Sequence, residues 1–410
     1  MLAAVFAIPL LVGHLGTERF GILSLIWMAI GYFSVFDLGL GRALTQLVAS
    51  KLGTTAEAEL PPLVWTALYL MALCGLLGMV IMLLLARPLV EHLLKVPPAM
   101  QSETVDAILV LALSLPVVVL TSALRGIMEA TQDFALVNAL RVPLGVATFV
   151  GPLLVLPFST SLVAVTLVLL LVRVVALVAH WRLSLRVLPA LRRQAPWRRD
   201  AAAALIGFGG WMTVTNLVGP AMVYLDRFLI GGLVSMTAVA YYVAPYELVT
   251  KLLIYPAAVS SALFPAFAAG ARGTDRGLLY RRGIKLIFMV LLPATLLIAL
   301  LARQILDFWL GTAFAAEGER ILQLLAAGVF INALAFVPFA LIQSAGRPDL
   351  TAKLHLLELP FYALAILALV AWAGVVGVAL AWTLRVLVDA LAMSLLAAKL
   401  VPEIRQVRKA

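Results

Sequence analysis

Lys251 stands four residues after Glu247, so that on a helix the two side chains share a face and can pair. Tyr242 and Tyr246 fall on an adjacent strip of the same segment. Pro245 removes a backbone hydrogen bond and is expected to kink the helix where a cavity would open. Near the start, Asp37 and Arg42 close the run Tyr32-Phe33-Ser34-Val35-Phe36-Asp37-Leu38-Gly39-Leu40-Gly41-Arg42. Arg141, Arg173 and Arg385 each interrupt an apolar stretch, and Asp389 follows Arg385 by one turn. The chemistry open to such a set is charge pairing and anion binding. Against the cations Arg141, Arg173, Lys251 and Arg385 stand the acids Asp37, Glu247, Glu358 and Asp389, which can pair with them. Arginine and lysine are the usual partners of phosphate, so the bias points to a ligand with a phosphate or pyrophosphate head.

Each residue also has a plainer reading. Glu247–Lys251 and Arg385–Asp389 can neutralise each other in place, and Arg42 and Arg141 lie close enough to a helix end to snorkel. Arg173 resists this: no acid on its own helix is within reach. It needs a partner on another helix, such as Asp37 or Glu129, or an anionic ligand.

Other chemistries lack their residues. None of the lysines precedes Ser or Thr, so there is no phosphate loop of the nucleotide-binding kind. The 4 histidines, at positions 14, 92, 180 and 355, fit no metal spacing, and no Gly-x-Ser-x-Gly elbow occurs. With 20 Asp and Glu in all, mostly at helix ends and loops, an enzyme site is not expected, and neither is a cofactor. The single cysteine, Cys74, lies in an apolar run and reads as a structural thiol.

The elements that must position these charges follow from composition. Of the 410 residues 64% are hydrophobic and 12% charged, with a mean hydropathy of +1.10. Soluble domains hold about 25% charged residues, so the solvent here must be lipid. In hydrocarbon the backbone must satisfy itself, and long unbroken apolar runs select helices over a barrel. At roughly 20 residues per span, helices are expected near 2–15, 20–44, 62–86, 106–128, 134–157 and 161–184, then near 202–224, 236–258, 284–305, 321–344, 350–373 and 375–399. The first is short, which suggests a start upstream. The fold class expected is thus an all-α polytopic membrane protein of about 12 helices.

Lys and Arg favour cytoplasmic loops. With both termini inside, twenty fall on inside segments and six on outside ones, placing residues 185–200 and 270–283 in the cytoplasm. The net charge of +10 therefore records topology, and nucleic acid is not an expected partner. Residues 181–200 carry six arginines and two prolines and bisect the chain, giving expected lobes 1–196 and 197–410. The halves echo each other: Glu18-Arg19-Phe20-Gly21-Ile22 follows the first helix and Asp226-Arg227-Phe228-Leu229-Ile230 the seventh. Two six-helix sets run in the same direction, as parallel repeats do in transporters.

The stretch Gly16-Thr17-Glu18-Arg19-Phe20-Gly21 through Asp37-Leu38-Gly39-Leu40-Gly41-Arg42 resembles the opening of bacterial polysaccharide flippases. These are the Wzx-type members of the multidrug/oligosaccharidyl-lipid/polysaccharide exporter superfamily. Ala240-Tyr241-Tyr242-Val243-Ala244-Pro245-Tyr246, Leu263-Phe264-Pro265-Ala266 and Ala345-Gly346-Arg347-Pro348 agree. The resemblance implies a MATE-like fold whose two lobes alternate around a cationic cavity lined by the first, second, seventh and eighth helices. It promotes Lys251 and Arg42 among the cavity candidates Lys251, Arg42, Asp37, Glu247, Tyr242 and Tyr246, while Arg141, Arg173, Arg385 and Asp389 stand, from their positions inside spans, as candidate intramembrane charge partners. The implied cargo is an undecaprenyl-pyrophosphate-linked oligosaccharide in the bacterial inner membrane, and the drive an ion gradient of H+ or Na+. Membrane lipids and other polysaccharide-assembly proteins are the further partners implied. The alternatives are a MATE-type multidrug/cation antiporter, which needs an acidic cavity, and a membrane polymerase or ligase of lipid-linked sugars, which needs a large outer loop.

Overall fold

Apolar runs rich in Ala, Leu and Val give helix wherever a computed structural model of the chain describes it, namely residues 2–131, 133–269 and 276–400. Residues 270–275 and 401–410, with Arg272, Arg405, Arg408 and Lys409 of the charge count, lie outside the described residues. In chain order the helices are α1 (Leu2–Tyr32), α2 (Leu40–Lys51), α3 (Leu60–Pro88), α4 (Pro98–Ala112), α5 (Ser114–Ala130), α6 (Phe134–Val155) and α7 (Leu162–Val187). Then follow α8 (Arg199–Leu233), α9 (Met236–Thr250), α10 (Ile254–Ala269), α11 (Arg276–Leu300), α12 (Ala302–Leu310), α13 (Thr312–Ser344) and α14 (Pro348–Leu400). Helix starts carry their expected chemistry: Asp133, Ser161 and Ser235 cap α6, α7 and α9 by accepting from the backbone N–H of Leu136, Val163 and Ala238.

Two helices are divided into paired arms by breaks in the backbone. The 53 residues of α14 would extend about 80 Å against a hydrocarbon core of about 30 Å. The chain breaks at Ala373 (φ −132°, ψ 17°) and Gly374 (φ 57°, ψ −136°), so α14 is a hairpin of two arms. Gly377 packs so tightly on the Leu369 carbonyl that a Cβ there would collide with it. In α1, Gly16 (φ 78°, ψ 163°) separates two arms in the same way. Counting those arms, and joining α2 to α1, α4 to α5 and α9 to α10, the described residues hold twelve long helical segments in two sets of six. This is the polytopic all-α architecture that the hydropathy anticipates. Their outer faces suit lipid: Leu84 is 72% exposed and Trp372 76% exposed.

The chain forms two compact units, 1–224 and 225–410. In the first, Leu44, Val64, Met71, Ala123 and Ile127 form part of a buried core of α2, α3 and α5. The basic loop is fastened to this unit. The Trp65 indole donates to the Arg193 carbonyl, the Arg198 N–H donates to Thr66, and Trp181 packs edge-on against Trp65. Outside the spans, the Arg198 guanidinium holds the Asp200 carboxyl down to about 2. In the second unit Ile287, Leu291, Val337, Leu341 and Met393 gather α11, α13 and the second arm of α14.

Candidate functional site

In the first unit the segment expected as one helix over 20–44 is interrupted. Phe33–Asp37 tightens to a 3-10 turn, and Leu38 (φ 50°) and Gly39 (φ 73°) pass through the left-handed region before α2 begins. Asp37 ties this joint: its Oδ1 accepts the Gly39 N–H at 2.8 Å, and its Oδ2 accepts the Ser122 hydroxyl of α5 at 3.0 Å. Gly41 makes room for it, because a Cβ there would lie 3.0 Å from Asp37 Oδ2 and 2.9 Å from Ser122 Oγ. Arg42 is exposed one residue further along α2.

Beside Ser122, helices α5, α6 and α7 pack together and enclose a cleft of about 100 Å³. Its lining includes Arg125, Arg141 and Arg173, with Thr121, Ser122 and His180. Arg125 pairs with Glu129 one turn along α5 at 3.4 Å. The partners anticipated for Arg173 are therefore engaged elsewhere, Glu129 with Arg125 and Asp37 with the Gly39 N–H and Ser122.

The second unit holds a denser set of buried charges. Asp226, fully buried, accepts the Tyr242 hydroxyl at 2.6 Å. The Arg227 guanidinium stacks 4.2 Å from the centroid of Tyr246, which lies on Tyr242 at 5.9 Å and meets Trp382 edge-on. Glu247 lies within electrostatic reach of Arg227, and its Oε2 accepts from Lys251 Nζ at 2.5 Å. The hairpin of α14 adds Glu358, Tyr362, Arg385 and Asp389. Its register places Glu358 level with Asp389 and Tyr362 level with Arg385 across the turn at Ala373–Gly374. Arg385 stands over the Tyr362 ring at 5.3 Å. His355, Glu358 and Asp389 bring one possible ligand atom each within 4.8 Å of the others.

Lys251 and Glu247 form the expected pair. Tyr242 and Tyr246 are buried against residues of their own unit, while Lys251 keeps 31% of its side-chain surface. One local expectation changes, and the segment after Pro245 shows a further feature. The chain stays helical through Pro245, and the departure from α geometry comes at Lys251–Leu253, where the Ile254 N–H reaches back three residues to Lys251. Pro256 accounts for it, having no N–H to give the Leu252 carbonyl. Arg385 pairs with Glu358 at 3.9 Å rather than with Asp389, whose Oδ1 lies 3.3 Å from His355 Nε2. The cross-arm approach in the hairpin outcompetes the i,i+4 pair.

Sequence reasoning passed over Asp226 and Arg227 as site residues, although it had marked them as part of the repeat. They follow the expected span 202–224, and nothing local shows that Tyr242 and Tyr246 cover them. It also found no metal-type spacing for His355, because Asp389 reaches it only through the fold.

The comparisons agree over most of the chain. A family model described as polysaccharide biosynthesis protein matches residues 11–319. A relative from Shigella flexneri named "Putative O-antigen transporter" is 30% identical over 400 residues, covering 95% of this chain and 92% of the relative. An inward-facing multidrug resistance MATE family transporter of the MOP superfamily superposes with a TM-score of 0.80 at 16% identity, covering 98% of this chain and 95% of that one. The lipid II flippase MurJ in an inward closed conformation gives 0.79 at 13% identity, covering 97% and 85%. At such identities the structural likeness shows the fold, which is MATE-like. A multi-pass helical membrane protein, the chain belongs to the polysaccharide biosynthesis protein family.

Proposed function

We propose that this chain is a flippase carrying undecaprenyl-pyrophosphate-linked oligosaccharide repeat units of O-antigen, capsule or exopolysaccharide across the bacterial inner membrane. The observation that carries the reading is the 30% identity, over 95% of the chain, to a relative named for O-antigen transport. The protein moves its cargo without chemical change, by alternating access of the lobes 1–196 and 197–410, with both termini in the cytoplasm. Lys251, partly exposed, and Arg42, exposed, meet the cargo's anionic head in transit, while Asp37, Tyr242 and Tyr246 hold the walls in shape. The coupling ion, H+ or Na+, is held at His355, Glu358 and Asp389, since Oε1 and Oε2 of Glu358 and Oδ1 of Asp389 are buried without a hydrogen bond among the described residues. A drug/cation antiporter would need spare acids facing its cargo, whereas the first unit has spare arginines.

The test is complementation of bacteria lacking their own repeat-unit flippase, read as surface polysaccharide. Restored polysaccharide is expected. Absence of polysaccharide with normal accumulation of the protein, across hosts with differing repeat units, would overturn the reading.

A further inference from the structure

We propose that the cleft between α5, α6 and α7 binds the pyrophosphate head of a polyprenyl lipid through Arg141 and Arg173, with Arg125 also in its lining, wholly within the first unit. The inference rests on the flippase reading and assigns its headgroup a site separate from Lys251. Three helices aim arginines into one cleft, and Thr121, Ser122 and His180 add groups able to bond phosphate oxygens.

The charge balance identifies the ligand. Glu129 offsets Arg125, but neither Arg141 nor Arg173 has a hydrogen-bond or ion-pair partner among the described residues. Arginine inside a span is tolerated when it pairs, reaches water or meets a counter-ion. Two uncompensated guanidinium groups match the two negative charges of a pyrophosphate diester, whereas a phospholipid phosphodiester would leave one over. Guanidinium forks also suit the several oxygens of a pyrophosphate. The surface of α6 and α7 next in sequence to Arg141 and Arg173 suits a lipid tail. Val142 and Val146 of α6 and Val174, Val175 and Val178 of α7 are exposed apolar side chains along which a polyprenyl chain can lie while its head occupies the cleft.

The full chain in phosphatidylcholine nanodiscs should bind a fluorescent polyprenyl pyrophosphate. The Arg141→Gln/Arg173→Gln double variant should lose at least about tenfold in affinity, and Arg141→Lys/Arg173→Lys should keep most of it. Inorganic pyrophosphate and phosphatidylglycerol should compete poorly. Equal binding by wild type and the Gln pair would overturn the site. Equal competition by phosphatidylglycerol would make it a bilayer-lipid site, and equal competition by inorganic pyrophosphate would remove the lipid from it; either overturns the proposal. If the Gln pair fails to fold, the single variants Arg141→Gln and Arg173→Gln decide, each expected to weaken binding. The two readings fail separately. Wild type that restores polysaccharide while the Gln pair binds and exports like it rejects the cleft alone. Wild type that binds through these arginines without restoring polysaccharide rejects the transport reading alone.

Discussion

Arg385 Nη1 lies 3.9 Å from Glu358 Oε2 on the opposite arm of the α14 hairpin, although Asp389 is only one turn away on its own arm. Both side chains are largely buried, at 15% and 6% exposure. The hairpin is thus held by a cross-arm charge pair as well as by the close approach at Gly377.

Breaking that pair from one side leaves a carboxylate in an apolar interior. Arg385→Ala should cost about 3–5 kcal/mol of stability, as loss of one member of a buried pair does. Less protein should accumulate in the membrane, and its melting temperature in detergent should fall. Arg385→Leu with Glu358→Leu should recover most of the loss, since an apolar pair needs no compensation there. If Arg385→Ala melts like wild type, the pair does not hold the hairpin.

Asp37 is expected to act through the backbone joint between α1 and α2. Asp37→Ala leaves the Gly39 N–H and the Ser122 hydroxyl without their acceptor, at a cost of about 1–3 kcal/mol. Asp37→Asn keeps one carbonyl oxygen and should lie between. Thermal melting in detergent measures both. A cargo-binding role for Asp37 would instead leave melting unchanged while polysaccharide export fell.

How much of this was legible in the sequence depends on the range of the interaction. Apolar runs fix helices because lipid leaves the backbone no alternative partner, so spans such as Leu162–Val187 lie within a few residues of expectation. The Lys251–Glu247 contact was legible because i,i+4 geometry is local. The turn at Gly374 is legible as a span boundary, but not the register that sets Glu358 level with Asp389. Arg173 shows the limit most clearly. Its lack of a local acid could be read from α7 alone, whereas its company of Arg125 and Arg141 required the packing of three helices.

Topology offers a separate test. From the asymmetry of twenty to six in Lys and Arg, residues 185–200 should face the cytoplasm. Arg192→Cys and Pro196→Cys, both at exposed positions, are suitable reporters once Cys74 is replaced. In intact cells they should resist membrane-impermeant thiol reagents and become reactive after permeabilisation. Ready labelling from outside would reverse the orientation and, with it, the side from which the cargo is taken up.

Lys251 is the residue on which local pairing and transport make opposite forecasts. Its ammonium sits 2.5 Å from Glu247, and both side chains remain partly exposed, at 31% and 24%. If the pair served only to neutralise itself, exchanging the two residues would preserve charge and contact and be well tolerated. If Lys251 meets an anionic head in transit, the exchange moves the cation by one turn, about 6 Å of rise, and export should fall while the protein still accumulates. Lys251→Arg should keep partial export, because its planar fork binds phosphate with different geometry from a compact ammonium. Lys251→Ala and Lys251→Glu should abolish export. The measurement is surface polysaccharide per unit of membrane-inserted protein, with Arg385→Ala as the control whose loss appears in protein level instead. Full export by Lys251→Ala would return this residue to the part of a neutralised pair and leave cargo recognition to the arginines.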